Sequence, residues 1–162
     1  SENSGRAMSN TKPIEAHHVK KGTHVMLKGR PCKAVDVKTS KTGKHGHAKC
    51  NITGIDVLTA KKYNEVHPGH IVLATFDVDK KDFEVMELDE KESCVKCLDE
   101  AGEETTIDYT EENATLDNWK EFHEDATGDQ AKVWSVTVIA APVGETEPPL
   151  VSTICEVKEV KD

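Results

Sequence analysis

The chain has 162 residues, of which 36% are hydrophobic and 4% aromatic, and its formal net charge is −9. This length accommodates one domain or two small ones, since domains typically contain about 50 to 200 residues. No apolar run approaches the roughly 18 to 20 residues of a membrane-spanning helix, and the start lacks the pattern of a secretory signal. We therefore expect a cytoplasmic protein that does not associate with membranes.

The first half of the chain predicts a small β-barrel over residues 18–79. Residues 1–17, which open with a polar, aperiodic segment before Met8, are predicted to be a disordered, tag-derived N-terminus. Alternating or β-rich patterns follow at residues 24–28, 31–37, 48–58 and 71–78. Gly29–Arg30 and residues 59–62 are predicted turns. Short strands without a helical period between them are typical of small barrels.

Residues 80–162 predict a second, acidic all-β domain with one helix, and the boundary falls near residue 79, where charged residues interrupt the apolar pattern. Strand patterns recur at residues 83–88, 93–98, 105–109, 132–141 and 150–160. Apolar residues three or four apart predict a helix over 116–126, with Asp117 as its N-cap and Gly128 as its end. Three strands, a helix and two strands is the order of the OB-fold, a five-stranded barrel.

The charge is divided unequally between these two halves. Residues 1–79 carry 13 lysines and arginines against 7 acidic residues, whereas residues 80–162 carry 8 against 23. The formal charges are therefore +6 and −15. Such asymmetry indicates two separately built units, of which the first suits a polyanion and the second suits solubility or a basic partner.

The segment 38–49 is unlike the rest of the chain, because it holds four lysines and two histidines but no acidic residue. Gly43 and Gly46 bracket Lys44 and His45, and glycines permit the positive φ angles of a tight reversal between two strands. Lys44 is therefore predicted at a hairpin tip. Without a carboxylate in the segment its ammonium group is available to a partner, although a solvated basic loop would have the same composition.

Nucleotide binding and catalysis are disfavoured by the same residues. A P-loop needs glycine five residues before Gly43 and serine or threonine after Lys44, but those positions hold Lys38 and His45. No nucleophile elbow or Ser/His/Asp arrangement stands out elsewhere. We therefore expect a protein that is not an enzyme and that has no cofactor.

The cysteines and the loop histidines do not predict a metal site. His45, His47 and Cys50 lack a fourth ligand, and Lys44 and Lys49 would place positive charge beside a cation. Cys94 and Cys97 form half of a zinc or redox signature without a second pair, and on a strand we expect one buried and one partly exposed thiol. The five cysteines, an odd number, are expected to be free and mostly buried.

The run from Ser40 to Lys49, Ser-Lys-Thr-Gly-Lys-His-Gly-His-Ala-Lys, resembles the hypusine loop of the eukaryotic and archaeal translation factor 5A family. Residues 28–33, Lys-Gly-Arg-Pro-Cys-Lys, are similar to the preceding hairpin of that family. Strong similarity is confined to residues 28–49, and the second half is divergent. The family is related to bacterial elongation factor P.

The resemblance implies an SH3-like barrel followed by an OB-fold. It also implies that Lys44 receives an aminobutyl group from spermidine through deoxyhypusine synthase and a hydroxyl group through deoxyhypusine hydroxylase. The hypusine so formed would lie beside the peptidyl-tRNA on the ribosome, relieve stalling at proline-rich sequences and assist termination. Lys41, Thr42, Gly43, His45, Gly46 and His47 would form the loop that presents Lys44.

Lys38, Lys41 and Lys49 are the predicted contacts to RNA phosphates. Two alternatives stay open beside the modified ribosomal factor: an unmodified two-barrel RNA-binding adaptor, and a protein whose acidic domain scaffolds basic partners. An OB-fold of charge −15 is poorly suited to a basic nucleic-acid groove, so we expect it to contact protein or only a restricted patch of RNA. A monomer or a weak homodimer is expected.

Overall fold

The computed structural model describes residues 9–41 and 48–161, which are dominated by β-strands. The strands are β1 (Lys12–Glu15), β2 (His24–Leu27), β3 (Arg30–Ser40), β4 (Lys49–Asp56), β5 (Lys62–Pro68), β6 (Val72–Thr75), β7 (Asp79–Asp89), β8 (Cys94–Leu98), β9 (Glu104–Asp108), β10 (Trp134–Pro142) and β11 (Leu150–Glu159). The α-helix α1 (Trp119–Thr127) and the 3₁₀ segments Ala16–His18 and Glu111–Thr115 complete the elements of the described residues.

The fold divides into two compact units. The N-terminal unit contains the described residues up to Val78 together with Ala141–Val151, and the C-terminal unit contains Asp79–Ala140 together with the described residues from Ser152 onward. The sequence placed residues 141–151 in the second domain, so the compact units and the predicted domains differ in the membership of this segment.

The N-terminal unit is built on an antiparallel sheet with the order β2-β3-β4-β5, accompanied by a two-stranded sheet of β1 and β6. Alternate residues of β4 point inward, and Cys50 and Ile52 are almost completely buried. Lys28 and Gly29, with φ angles of 52° and 75°, form the two-residue turn between β2 and β3. Positive φ at both positions defines a type I′ turn, so the predicted turn at Gly29–Arg30 is displaced by one residue.

Part of the segment predicted to be disordered is ordered. Residues 12–15 form β1, which pairs with β6 from Lys12 opposite Thr75 to Glu15 opposite Val72. The prediction of disorder up to residue 17 is therefore wrong for residues 12–17. The strand is too short for its alternation to stand out, and its partner lies about sixty residues away along the chain, which a local pattern does not reveal.

The C-terminal unit contains a five-stranded sheet with the order β11-β10-β7-β8-β9, and α1 lies between β9 and β10 in the chain. The core is formed around three aromatic residues, Trp119, Phe122 and Trp134, whose rings meet edge to face at centroid distances of 5.3 and 5.5 Å. The predicted all-β class, an SH3-like barrel followed by an OB-fold with one helix, is confirmed.

The helix α1 begins later than the sequence predicted. Its N-cap is Asn118, in the left-handed region with φ 70°, and its first residue is Trp119, so Asp117 is not the cap. The preceding 3₁₀ segment ends at Thr115 and is capped by Leu116, whose carbonyl accepts the Trp119 N–H at 3.1 Å, and this connection fixes where the helix starts. Gly128 ends the helix as predicted. Across the described residues, no helix has the length and apolar character that crossing a membrane requires.

Candidate functional site: the basic hairpin

The hairpin of β3 and β4 carries the predicted modification loop. The two strands pair from Cys32 opposite Asp56 to Ser40 opposite Lys49, so residues 41–48 connect them. Lys44 and the loop residues Thr42, Gly43, His45, Gly46 and His47 lie outside the described residues. The assignment of Lys44 and of its loop therefore stays a prediction, and the structure defines the strands that carry the loop.

The register of this hairpin is held by close packing at Gly54. A Cβ atom at this position would lie 2.8 Å from Cys32 Cβ and 2.9 Å from Leu27 Cδ1, and both of those residues are completely buried. Only glycine allows β2, β3 and β4 to approach so closely. A β-bulge between Ala34 and Asp36 then shifts the pairing by one residue. Such a bulge bends the strand and increases its twist before it reaches the loop.

The base of the loop is tied to neighbouring backbone. The Gly69 N–H donates to the Ala48 carbonyl at 2.9 Å, and the Gly69 carbonyl accepts the His17 N–H at 3.0 Å. The preceding residue, Ala16, is completely buried and donates its N–H to the Ile71 carbonyl at 2.8 Å. These bonds anchor the β4 end of the loop to the 3₁₀ segment Ala16–His18, which restricts its motion.

The predicted phosphate contacts are all exposed. Lys38 and Lys49 lie on the same face of the hairpin, because Lys38 pairs with Asn51, and Ser40, two residues from Lys38, pairs with Lys49. Lys41 is exposed immediately after β3. The structure therefore brings two of the three predicted lysines onto one surface and leaves the third beside it.

This surface, the outer face, consists of the outward-pointing residues of β3, β4 and β5. Asn64 of β5 organises it, since its amide group donates to Asn51 Oδ1 at 2.6 Å and to Thr53 Oγ1 at 2.9 Å. Lys33 and Lys62 extend the positive charge, because both pair with Ile55 on the same side. The sequence analysis did not identify these two lysines, since β5 was not predicted and its register with β4 was unknown.

The acidic residue of β3 on the outer face is Asp36. Its carboxylate lies 3.9 Å from Lys38 Nζ, and both side chains are more than half exposed. An exposed pair at that distance contributes little, typically below about 1 kcal/mol, and salt screens it. Lys38 therefore remains available to a phosphate group.

A second acidic residue of this unit is directed inward. Asp56 is 1% exposed and accepts a hydrogen bond from Arg30 Nε at 2.6 Å. It also accepts the backbone N–H groups of Leu58 and Thr59 at 2.8 and 3.3 Å. These bonds fix the turn that follows β4, so the carboxylate has a structural role at the end of the hairpin opposite to the loop.

Two buried thiols, those of Cys32 and Cys97, lack the properties of nucleophiles. Burial raises the pKa of Cys32 to about 12, and the neighbouring Asp56 carboxylate acts in the same direction. Burial likewise raises the pKa of Cys97 to about 12. Cys94 is also buried, so the prediction of one partly exposed thiol in this pair is wrong. The strand β8 is an inner strand of its sheet, between β7 and β9, and its first residue, Cys94, is 5% exposed.

A cluster that the sequence analysis missed lies beside the base of the loop. The side chains of Glu15, His17 and His18 place one possible metal-ligand atom each within 4.8 Å of the others. The only signal in the sequence was the adjacency of two histidines to a glutamate. It was overlooked because residues up to 17 were assigned to a disordered segment.

Comparison with known proteins identifies similar chains over nearly the whole length. Residues 9–71 match the family described as translation initiation factor 5A-like, N-terminal. Eukaryotic translation initiation factor 5A-3 of Arabidopsis thaliana is 33% identical over 159 residues, which cover 98% of this chain and 93% of that protein.

Two solved structures agree with this result. A translation initiation factor 5A family protein from Naegleria fowleri is 37% identical, with a TM-score of 0.74, and the match covers 93% of this chain and 99% of that chain. Eukaryotic translation initiation factor 5A from Methanococcus jannaschii is 25% identical, with a TM-score of 0.61, over 94% of this chain and 98% of that chain. The similarity in sequence and the similarity in structure therefore point to one family.

Proposed function

The chain belongs to the eukaryotic translation initiation factor 5A family, and on this premise we propose that it acts at the ribosome through hypusine formed on Lys44. Deoxyhypusine synthase would transfer the aminobutyl group of spermidine to Lys44, and deoxyhypusine hydroxylase would add the hydroxyl group. The modified factor would stabilise peptidyl-tRNA, promote peptide-bond formation at stalling sequences such as polyproline and assist termination. Its place of action would be the cytoplasm.

The observation that carries this proposal is the anchored hairpin of β3 and β4. The strands are paired as far as Ser40 opposite Lys49, and Gly69 binds the backbone at Ala48 where the loop ends. Paired and anchored strands limit the conformations that the loop between them can adopt. A long side chain on that loop therefore loses less conformational entropy when it binds a partner. Such a side chain reaches a cleft that the hairpin backbone cannot enter.

The proposed chemistry is one of positioning rather than of proton transfer. A long cationic side chain that contacts the acceptor end of peptidyl-tRNA would restrain it in a reactive geometry, and orientation alone supplies large rate effects. The buried thiols Cys32 and Cys97, with pKa values near 12, are not poised as nucleophiles. The protein would thereby assist catalysis by the ribosome without being the catalyst.

Lys38, Lys41 and Lys49 would hold the phosphate backbone next to the loop. The first and last of these lie on the outer face, where the Asn64 amide group holds Asn51 and Thr53 in place between the strands. Contacts to phosphates position a protein on RNA without reading its sequence. This surface would orient the loop, whereas the modified lysine would make the contact at the reaction centre.

The modification is tested with purified deoxyhypusine synthase and labelled spermidine. We expect wild-type protein to become labelled on Lys44 and the Lys44→Arg variant to remain unlabelled. Lys41→Arg is the matched control, because it makes the same change in the same segment and should keep the label. An unlabelled wild-type chain, or a labelled Lys44→Arg variant, would refute the assignment.

The role in elongation is tested by translating a polyproline reporter with modified wild-type protein, unmodified wild-type protein and Lys44→Arg. Only the modified protein should relieve the stall, because arginine preserves the charge but not the extension. Equal stimulation by all three would contradict the proposed role of hypusine.

The outer face also supports a second candidate function, that of an RNA-binding adaptor that needs no modification. In that case, binding to bare single-stranded RNA would be the same with and without hypusine. It would also fall steeply with salt, by a slope of about 0.7 per phosphate contact. Replacing Lys38 and Lys49 by alanine would reduce that slope. A strong dependence of binding on the modification would exclude the adaptor.

A further inference from the structure

A carboxylate and two imidazoles converge on the surface of the N-terminal unit where β1 ends. Glu15 is the last residue of β1, and His17 and His18 belong to the 3₁₀ segment that follows it. One donor atom from each lies within 4.8 Å of the other two. We propose that these three side chains bind one divalent transition-metal ion of the zinc class.

The spacing of the donors fits a small coordination sphere. Zinc takes nitrogen and oxygen ligands at about 2.0 to 2.2 Å, so two ligands of a tetrahedral ion lie about 3.3 Å apart. The distance between Glu15 Oε1 and His17 Nε2 is 3.2 Å, which is already one edge of such a tetrahedron. The remaining separations are at most 4.8 Å, so they need to shorten by no more than about 1.5 Å, which rotation of exposed side chains about their χ angles provides.

The backbone beneath the donors is fixed before any metal binds. Glu15 pairs with Val72 in the two-stranded sheet, and Ala16, between Glu15 and His17, is completely buried. The Ala16 and His17 N–H groups donate to the carbonyls of Ile71 and Gly69 at 2.8 and 3.0 Å. Folding therefore orders the backbone of the ligands before the metal binds, so binding loses less conformational entropy than it would in an unstructured peptide of the same sequence.

The chemistry of the donors selects the class of metal. Two imidazole nitrogens and one carboxylate oxygen suit zinc, nickel or copper, whereas magnesium and calcium require oxygen ligands and higher coordination numbers. The Glu15 carboxylate shares a hydrogen bond with the His17 ring, itself a ligand of the proposed site. A water molecule would complete the fourth position, which makes this an exposed, exchangeable site.

Metal binding would stabilise the backbone at the base of the basic hairpin. The His17 N–H donates to the Gly69 carbonyl, and the Gly69 N–H donates to the Ala48 carbonyl, so two backbone bonds connect the site to the end of the loop. An ion that binds only the folded arrangement stabilises it against local opening. The amide hydrogen of Gly69 should therefore exchange more slowly when metal is bound. This inference is independent of the proposed modification of Lys44.

The test is a calorimetric titration of chelator-treated full-length protein with Zn²⁺ alone. We expect one equivalent to bind with an affinity that falls at least about tenfold in His17→Gln and in His18→Gln, because each removes one of three ligands. Mg²⁺ should not bind there. His123→Gln is the matched control, since it removes a histidine that pairs with Glu90 in the C-terminal unit and should leave binding unchanged.

Two results would overturn the proposal. One is unchanged zinc binding when His17 and His18 are both replaced by glutamine in a protein whose circular dichroism is that of the wild type. The other is loss of binding in a His45→Gln, His47→Gln double variant that retains His17 and His18, which would assign the metal to the loop. Hydrogen exchange adds a second readout, because zinc should protect the Gly69 amide in the wild type but not in His18→Gln.

Discussion

Replacing Gly54 by alanine should weaken the hairpin that carries the modification loop. The new methyl group would lie 2.8 Å from Cys32 Cβ, which is attached directly to the backbone of β3, and 2.9 Å from the fully buried Leu27 Cδ1. Overpacking of this kind costs about 1 to 3 kcal/mol. The lower entropy of alanine in the unfolded chain offsets about 0.4 to 1 kcal/mol. We expect a net destabilisation of about 1 to 2 kcal/mol.

Hydrogen exchange measures this loss in the unit where it occurs. Both tryptophans of the chain, Trp119 and Trp134, belong to the core of the C-terminal unit, so tryptophan fluorescence does not report on the hairpin. Amides of β2, β3 and β4 that exchange through opening of the sheet should exchange roughly 5 to 30 times faster in Gly54→Ala. Lys49→Ala is the control, because Lys49 lies on the outer face of the same strand, its side chain is exposed, and its loss should cost under about 0.5 kcal/mol.

The reasoning would be refuted by a Gly54→Ala variant whose hairpin amides exchange at the wild-type rate. That outcome would mean that the strands accommodate the added methyl group without loss of stability. The close approach at Gly54 would then not set the register of β3 and β4. If exchange accelerated equally in Gly54→Ala and Lys49→Ala, the effect would belong to the strand in general rather than to the buried contact.

Two further predictions concern the hydrogen-bonded carboxylates of Asp56 and Asp125. Arg30→Met leaves the Asp56 carboxylate buried without its cation and should lower the free energy of unfolding by about 3 kcal/mol. Urea denaturation measures this change. A decrease below about 1 kcal/mol would show that water reaches the carboxylate. The indole N–H of Trp134 and two backbone N–H groups lower the pKa of Asp125 below its usual 3.8. The bound carboxylate therefore stabilises the fold above about pH 3.8, and this contribution is lost as pH falls through the lowered folded-state pKa. Asp125→Asn should remove that step from an acid titration followed by tryptophan fluorescence, and an unchanged step would assign it to another group.

The sequence predicted those elements whose pattern is local. The strands β3 and β4 place apolar residues at alternate positions, and the helix places Trp119 and Phe122 three residues apart, so each pattern was recognisable without knowledge of a partner. The strand β5 was missed because two of its inward positions are Glu65 and His67. These residues satisfy each other through a bond of 2.7 Å, which allows polar side chains to occupy half-buried positions.

In the candidate site, too, the sequence predicted local features and missed those that depend on contacts between distant strands. Lys44 could be predicted from its glycine-bracketed loop and from the resemblance to a family, since both features are contiguous in the chain. The outer face could not, because Asn51, Thr53 and Asn64 meet only through the register of β4 with β5. The cluster of Glu15, His17 and His18 depends on a backbone held by β6 and by Gly69, which no local pattern records.

The electrostatics of the N-terminal unit depend on where its carboxylates are engaged. Every acidic residue between positions 9 and 78 has a lysine, arginine or histidine side chain within 4.0 Å; these acidic residues are Glu15, Asp36, Asp56, Glu65 and Asp77. On the β3 and β4 hairpin, Asp36 lies near the lysines that flank the loop and is solvent-exposed, whereas Asp56 lies at the opposite end and is buried. The positive charge of the hairpin therefore remains concentrated near the loop, because the exposed pair of Asp36 and Lys38 offsets it only weakly and Asp56 is buried at the far end. A substitution that freed Asp56 from Arg30 would thus perturb the fold at the far end of the hairpin and leave the potential around the loop largely unchanged, because the length of β4 places Asp56 more than a Debye length from the loop.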